Sequence, residues 1–252
     1  MAIGITNITT ATIISGGSTT LAFSGSVTAG STLVAGGFNF NNSTTGSPAI
    51  SDSINGTWTV KKYANGFVST FNQNTELWLA TFENTAGGTP TVTWNPNGTS
   101  ADMGGWFICE VTGAATPTSV DVTPAMNATT GLTPSITSGT LAQAAEVLFA
   151  VMTGDTTNGT VTIVGDAAGG YTDLVNQGDN SSSQMGACQY KIVASTSSDT
   201  ADWTITDVGG IGQGKGSILI SIKEAAGGAA GDLSTLIGEP VTGSSQIEGG
   251  LR

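Results

Sequence analysis

The run Ile50-Ser51-Asp52-Ser53-Ile54-Asn55-Gly56-Thr57-Trp58 lies within residues 31–111. This segment is the most informative part of the sequence about the fold, because its pattern returns in residues 146–223. Each copy holds five β-prone segments in the same order, separated by residues that favour turns. In the first copy these segments are Leu33-Val34-Ala35, Ile50 to Trp58, Glu76 to Phe82, Thr91 to Trp94, and Trp106 to Val111. In the second copy they are Val147-Leu148-Phe149, Ile163 to Tyr171, Cys188 to Val193, Asp202 to Ile205, and Ser217 to Ile222.

The offset between the two copies hardly changes along the chain. Trp58 and Tyr171 are 113 residues apart, and Val92 and Trp203 are 111 residues apart. A nearly constant offset indicates that one structural unit occurs twice. We therefore predict two related five-strand units that close face to face over one apolar interior.

The domain organisation follows from this repeat. The β-sandwich domain is expected to span residues 31–223, with the pseudo-repeats 31–111 and 146–223. Residues 1–30 contain β-prone segments and are expected to form an N-terminal strand or arm. Residues 224–252 read as a glycine-rich linker and a C-terminal arm, which lies either across a neighbouring subunit or on its own domain. The apolar residues of this assembly arm are Leu233, Leu236, Ile237, Val241, Ile247 and Leu251.

The composition favours an all-β protein. The 252 residues include 37 glycines and only 10% charged residues. Thr, Ser, Asn and Gly dominate and strong helix formers are scarce, which favours short strands joined by many turns. A hydrophobic fraction of 38% argues for a packed core over disorder. Asn55-Gly56 predicts a tight hairpin, since both residue types tolerate positive φ.

The charge balance limits the partners. The formal net charge of −12 should repel phosphate backbones, so we expect no binding to DNA or RNA. The sequence has no apolar run of about 18 residues that could cross a bilayer. The segment Met1 to Gly17 lacks the basic start and continuous apolar middle of a secretory signal. We therefore expect a protein that is made in the cytoplasm without export by that route and that has no membrane partner.

Residues for catalysis or cofactor binding do not stand out. Histidine is absent, which removes the usual general base near neutral pH and the commonest metal ligand. The carboxylates on predicted strands show no spacing that singles out a catalytic pair, and solvated strand edges explain them better. They are Glu76, Glu83, Glu110 and Glu146. We therefore predict no enzyme, no cofactor and no metal site, with calcium in the Asp-containing loops as an open alternative.

The two cysteines, Cys109 and Cys188, alternate with apolar residues on predicted strands. This pattern places both on core faces and favours two buried free thiols. A disulfide between the repeats stays open as the alternative, because pairing cannot be read from sequence alone.

Aromatic side chains are the remaining candidates for binding. The five tryptophans could form a sugar-stacking platform, but four of them occupy positions that bulky residues echo in the other copy, which favours core packing. A second aromatic set clusters around the predicted loops of the first unit and has no clear equivalent in the second copy. This set is the predicted ligand face: Phe38, Phe40, Tyr63, Phe67 and Phe71.

The linear order of these segments resembles that of jelly-roll-like β-sandwich proteins found among bacteriophage virion proteins and bacterial surface or secreted proteins. The segments that carry the resemblance are Ser31 to Val34, Ile50 to Thr59, Leu77 to Ala80, Gly88 to Thr93, Cys109 to Gly113, and Tyr190 to Val193. The resemblance covers roughly residues 31–223. It implies a single jelly-roll-like sandwich with a structural or adhesive role, and it brings no defined binding residues.

The resemblance further implies a function in an assembled particle. We expect a bacteriophage virion structural protein, such as a capsid decoration or head-surface protein, located in the virion. Its arms, Met1 to Thr20 and Asp232 to Arg252, would contact other copies of the chain and a major capsid or other virion protein. The alternative is a receptor- or glycan-binding module of a tail fibre or a bacterial surface protein.

Overall fold

The computed structural model describes residues 2–13, 17–41, 46–65, 74–96, 101–155, 161–178, 184–207 and 214–225. In this part of the chain the regular structure consists of seventeen β-strands, which confirms the all-β prediction. The strands are β1 Gly4–Ile13, β2 Thr19–Ala22, β3 Thr32–Asn41, β4 Ala49–Asp52, β5 Gly56–Thr57, β6 Thr59–Asn65, β7 Asn74–Phe82, β8 Thr91–Asn95, β9 Ala101–Thr112, β10 Asn127–Thr129, β11 Ser135–Thr137, β12 Ala145–Asp155, β13 Val161–Gly165, β14 Thr172–Gly178, β15 Gln184–Ala194, β16 Thr200–Asp207 and β17 Lys215–Lys223. No helix among these residues is long and apolar enough to cross a membrane.

The strands form four antiparallel sheets. Two sheets have five strands, in the orders β1-β9-β3-β7-β6 and β10-β17-β12-β15-β14. A four-stranded sheet has the order β2-β8-β4-β5, and a three-stranded sheet has the order β11-β16-β13. Apart from β5, which has no counterpart among the described residues, the orders correspond: β1, β2, β3, β4, β6, β7, β8 and β9 take the places of β10 to β17. The repeat detected in the sequence is therefore also a repeat of strand order.

The four sheets stack as four layers with three apolar interiors between them. The two five-stranded sheets form the central pair and pack on each other through a core that includes Phe107, Cys109 and Phe149. The four-stranded sheet covers the outer face of the first central sheet over a tryptophan-rich core. The three-stranded sheet covers the second central sheet over a core around Trp203. The sequence predicted one shared interior, whereas each half also encloses an interior of its own.

Burial on both faces explains the composition of the central strands. In β12 every residue after the first is buried, and in β17 every residue before the last is buried. A strand that is covered on one face alternates apolar and polar residues, but a strand that is covered on both faces needs apolar residues throughout. The runs Val147–Met152 and Ile218–Ile222 meet this requirement apart from Ser221, which is also buried.

Close contact between the central sheets depends on glycine. A Cβ atom added at Gly186 on β15 would overlap the ring of Phe38 on β3. At Gly105 on β9, an added Cβ would lie 2.7 Å from Cγ1 of Val175 and 2.8 Å from Cζ of Phe38. The Phe38 ring therefore occupies space that only glycine leaves free on both sides.

The chain turns at the predicted place, but the loop has three residues and not the two that Asn55-Gly56 predicted, because Gly56 already pairs with Asp52. Residues 53–55 join β4 to β5, and Gly56 has a φ of +87°, which glycine adopts at no steric cost. The carboxylate of Asp52 holds the turn, accepting hydrogen bonds from the backbone N–H of Asn55 at 2.6 Å and from Trp58 Nε1 at 2.6 Å. The turn therefore fixes the tryptophan that follows it.

The N-terminal segment is part of the fold. Strand β1 pairs with β9 and forms one edge of the first central sheet, and β2 pairs with β8 in the four-stranded sheet. Of the two alternatives for residues 1–30, the described residues take the strand form, so residues 4–13 are not a free arm. Their Ile- and Thr-rich sequence has the β propensity that such pairing requires.

Candidate functional site

Buried polar side chains collect at one end of the first half, just beyond its tryptophan core. Asn39 on β3 lies directly opposite Glu76 on β7, and both side chains are fully buried. Tyr63 on the edge strand β6 lies opposite Trp78, which is two residues beyond Glu76 on the same face. Strand pairing therefore brings Asn39, Glu76 and Tyr63 together, and we call this group the polar end.

The polar end has hydrogen-bonding capacity that the protein does not use. Tyr63 Oη donates a hydrogen bond to Glu76 Oε1 at 3.2 Å. Among the described residues, Glu76 Oε2 and both amide atoms of Asn39 are buried without a hydrogen-bond partner. Buried water commonly satisfies such atoms in folded proteins.

The ionisation of the polar end follows from its burial. Burial raises the pKa of Glu76 to about 7, although the hydrogen bond from Tyr63 and the adjacent amide of Asn39 offset part of the effect. Burial also raises the pKa of Tyr63, and the adjacent Glu76 carboxylate raises it further. Near neutral pH the Glu76 carboxyl is therefore divided between its protonated and ionised forms, while Tyr63 stays a neutral donor.

The tryptophan core below the polar end adds three further donors. Trp78, Trp94 and Trp106 contact one another with ring centroids 5.1 to 6.3 Å apart, and all three are fully buried. Their Nε1 atoms have no hydrogen-bond partner among the described residues. The predicted core role of the tryptophans is confirmed. Asn39, Glu76 and the three indoles are fully buried, so Tyr63 is the only one of these groups that is partly exposed.

The predicted ligand face is divided by the structure. Phe38 and Phe40 are 0% and 1% exposed in the core between the central sheets, so neither presents a surface to a ligand. Tyr63 is partly buried and belongs to the polar end. Phe67 and Phe71 lie outside the described residues. The six predicted assembly-arm residues, Leu233 to Leu251, also lie outside them.

Sequence reasoning missed Asn39 and Glu76. Solvated strand edges were expected for the glutamates, but Glu76, Glu110 and Glu146 are 0 to 1% exposed. The alternation of side chains along a strand could have identified Glu76. Glu76 stands two residues before Trp78, so the two side chains lie on the same face of the sheet. Burial of that face depends on the four-stranded sheet, which a single strand does not reveal.

A second buried carboxylate is fully satisfied. Glu110 accepts hydrogen bonds from Asn7 Nδ2 at 2.7 Å, from the backbone N–H of Thr28 at 2.7 Å and from Thr6 Oγ1 at 3.0 Å. Burial alone would raise the pKa of Glu110, but these hydrogen bonds outweigh it and hold the pKa below its usual value. Asn7 adopts a φ of +52° at a bulge in β1 to reach the carboxylate. We call this group the Glu110 clasp, and its role is structural.

The remaining reactive groups are protected by burial. Cys109 and Cys188 are buried free thiols, as predicted, and burial raises the pKa of both. Burial also raises the pKa of Glu146, with the charge of Asp121 adding to the effect. Within the described residues, no group of three or more Cys, Asp or Glu side chains could hold a metal ion.

The chain leaves the described structure beside an edge strand. The backbone N–H of Ile3, just before β1, donates to Glu224 Oε1 at 3.1 Å. The backbone N–H of Ala225 donates to the carbonyl of Gly113 at 2.7 Å. Residues 226–252 therefore follow from a point next to the start of β1.

Comparison of the chain with family models, with curated proteins and with solved structures finds no match.

Proposed function

We propose that this chain is a structural protein of a bacteriophage virion, such as a capsid decoration or head-surface protein, built from two jelly-roll-like halves. The observation that carries the proposal is the back-to-back packing of two β-sandwiches through central sheets that are buried on both faces. This arrangement makes a large core without disulfides, since both cysteines are free. A protein exposed on a particle needs such a self-sufficient core.

The strand pairing of each half supports the jelly-roll interpretation. In the first half the first strand pairs with the last, the second with the second last, and the third with the third last, as in one long hairpin that has been rolled up. The centre of this hairpin is the pairing of β4 with β5. The second half repeats the three outer pairings as β10 with β17, β11 with β16, and β12 with β15. Each half, and not the whole domain, then forms one jelly roll.

The surface is compatible with permanent contacts between subunits. Only 10% of the residues are charged, and Thr, Ser, Asn and Gly dominate. A surface with few Lys and Glu side chains loses little side-chain entropy when it is covered. We propose that the chain meets other copies and a capsid protein through such surfaces and through the segment 232–252.

Incorporation into particles tests this proposal. Deletion of residues 232–252 should leave a folded domain, with an unchanged β-type circular dichroism spectrum, that no longer copurifies with the particles. A matched control replaces Ser234, Thr235, Thr242 and Ser244 by alanine and should still be incorporated. Unchanged incorporation of the deleted protein would count against the proposed role of the segment.

The second candidate function is glycan binding, and the polar end favours it. Tyr63, the partly exposed member of the polar end, lies on the edge strand β6 and donates a hydrogen bond to the buried carboxyl of Glu76. Titration with a glycan panel should then show saturable binding that Tyr63→Phe and Glu76→Gln weaken and that the control Tyr190→Phe leaves unchanged. A chain whose only role is structural should show no saturable sugar binding.

A further inference from the structure

Most edge strands of this protein carry a feature that discourages pairing with another chain. Strand β6 contains Lys61 and Lys62, and β14 contains the exposed Asp173 next to a bulge. The edge strands β2, β5, β10 and β11 are only two to four residues long. Strand β13 packs against β14, where the carbonyl oxygen of Val161 would lie 2.5 Å from a Cβ added at Gly178. Lysine, short length and covering are the usual protections of natural sheet edges.

Strand β1 is different. It is ten residues long, Gly4–Ile13, with the sequence GITNITTATI, which contains no charged residue and no proline. It pairs with β9 on one side, and its other side has no partner strand within the described part of the chain. A long uncharged edge of this kind presents unpaired backbone N–H and C=O groups to any strand that approaches.

The bulge in β1 defines which part of the edge is regular. The register shifts between Thr6 and Thr9, where Asn7 turns toward the Glu110 clasp. From Thr9 to Ile13 the pairing with β9 is continuous, and the side chains of Thr10 and Thr12 are exposed. The regular edge therefore comprises five residues, Thr9 to Ile13.

A groove lies beside this regular edge. It has a volume of about 370 Å³ and is lined by Thr10, Ala11 and Thr12 of β1 and by residues 174–176 of β14 in the other half. Its wall includes the apolar side chains of Leu174 and Val175. A strand added to β1 would place alternate side chains in this groove.

We propose that β1 is a contact between two copies of this chain, in which the Thr9–Ile13 edge of one copy pairs antiparallel with the same edge of a second copy. The first central sheets of the two copies, with five strands each, then join into one ten-stranded sheet about a two-fold axis. The inference rests on the proposed function in that identical copies assemble, and it names the surface by which they do so.

Identical edges fit each other for three reasons. Antiparallel pairing of a strand with its own copy satisfies both sets of backbone groups, as a two-fold interface requires. The strand is already ordered by β9, so pairing costs little further conformational entropy. The edge is uncharged, so it brings the copies together without adding to the repulsion from a net charge of −12 each, whereas two β6 edges would oppose Lys61 and Lys62 to their own copies.

Sedimentation of the full chain over a concentration series tests the contact. The wild type should form a dimer, and Thr10→Lys and Thr12→Lys should each weaken the dimer at least tenfold, because the new charge lies at the seam, within reach of its own copy diagonally across the axis. The matched control is Thr91→Lys, which places the same charge on an exposed position of the internal strand β8. Melting temperatures should be similar for all four proteins, because the substituted side chains are exposed.

Disulfide trapping gives a second readout. The native thiols Cys109 and Cys188 are buried, so a cysteine introduced at Thr10 or Thr12 is the accessible one. Oxidation should cross-link the double variant Thr10→Cys/Thr12→Cys into a covalent dimer, because position 10 of one copy lies opposite position 12 of the other, and it should leave Thr91→Cys monomeric.

Three results would overturn the inference: a wild type that is monomeric at every concentration, lysine variants that dimerise like the wild type, or a dimer that only deletion of residues 226–252 dissociates. The last result would mean that residues 226–252, and not the β1 edge, form the contact between the copies. Incorporation of Thr10→Lys into particles separates this inference from the proposed function. A variant that has lost the dimer but still incorporates leaves the virion role intact.

Discussion

Gly186 shows how one residue controls the contact between the two halves. It faces Phe38 across the central interface, and the ring of Phe38 fills the space that a side chain at position 186 would need. On the same interface, the rings of Phe107 and Phe149 stack with centroids 5.6 Å apart. Large aromatic rings from one sheet therefore pack on small residues or on rings of the other sheet.

We expect Gly186→Ala to lower the free energy of unfolding by about 1–3 kcal/mol, because the added methyl group overpacks the interface. The control Gly17→Ala should change it by less than about 0.5 kcal/mol, since nothing lies within 4 Å of a Cβ at that position. Urea denaturation of both variants measures the difference. Phe38→Leu should rescue part of the loss in a double mutant, and strictly additive effects would contradict the assigned contact.

Glu76 gives an expectation about pH. Its pKa of about 7 in the folded state lies above the usual value of 4.5, so the folded state binds the proton more tightly than the unfolded state does. Stability from this group is fully present below about pH 4.5 and is lost as the pH rises through about 7. Glu76→Gln removes this loss. The variant should gain up to about 3 kcal/mol relative to the wild type between these pH values.

Urea denaturation of the wild type and Glu76→Gln at pH 4.5, 6 and 8 measures that gain. A difference between the two proteins that does not change with pH would show that Glu76 ionises normally in the folded state.

The parts of the polar end differ in how far they could be predicted. Tyr63 was expected in a ligand face because it has no equivalent in the second copy. It lies beside Glu76, whose Oε2 atom has no hydrogen-bond partner among the described residues. Phe38 and Phe40 were expected there for the same reason, but the second half covers them. A residue without an equivalent in the other copy of the repeat is special to one half. The missing equivalent does not show whether that residue faces solvent or the other half.

At the scale of the element, edge strands and central strands obey different rules. All ten predicted segments overlap observed strands. Eight of them are runs rich in β-branched or other apolar residues, whereas Ile50–Trp58 and Ile163–Tyr171 are rich in turn residues and are strands only in part. The strands that were not assigned within the two units, β6 and β14, are polar. Edge strands bury less side-chain surface, so their sequences carry a weaker hydrophobic pattern.

The Glu110 clasp ties β1 to β9 and gives a prediction for an edge element. Asn7→Gly keeps the positive φ but loses the hydrogen bond to Glu110, and it should cost about 1–3 kcal/mol. Asn7→Ala loses the same bond and also adds the strain of a φ of +52°, so it should cost about 1–2 kcal/mol more. Chemical denaturation at pH 7 measures both. Equal stabilities of the two variants would show that β1 has no strained bulge.

The clasp also has a pH signature of the opposite sign to that of Glu76. The pKa of Glu110 is depressed in the folded state, so its stabilisation is present above the usual carboxyl pKa and is lost as the pH falls through the depressed value. Stability profiles of the wild type and Glu110→Gln should therefore converge below about pH 4. Profiles that stay parallel down to pH 2 would contradict the assigned hydrogen bonds.

At the scale of the whole molecule, the repeat predicted two halves that meet face to face, but not that each half is itself built from two packed sheets. Both halves were expected to enclose one interior, and each instead encloses its own while a third interior joins them. The apolar runs of β12 and β17 already indicated burial on both faces. Which sheet covers which face depends on contacts between residues more than one hundred positions apart, and no local pattern encodes that choice.

The central claim is that these two halves form one body through the interface between the central sheets. Differential scanning calorimetry tests it most directly. We expect a single transition whose calorimetric and van't Hoff enthalpies agree, and which Gly186→Ala shifts as a whole to lower temperature. Two resolved transitions, with only one of them moved by the substitution, would contradict the claim.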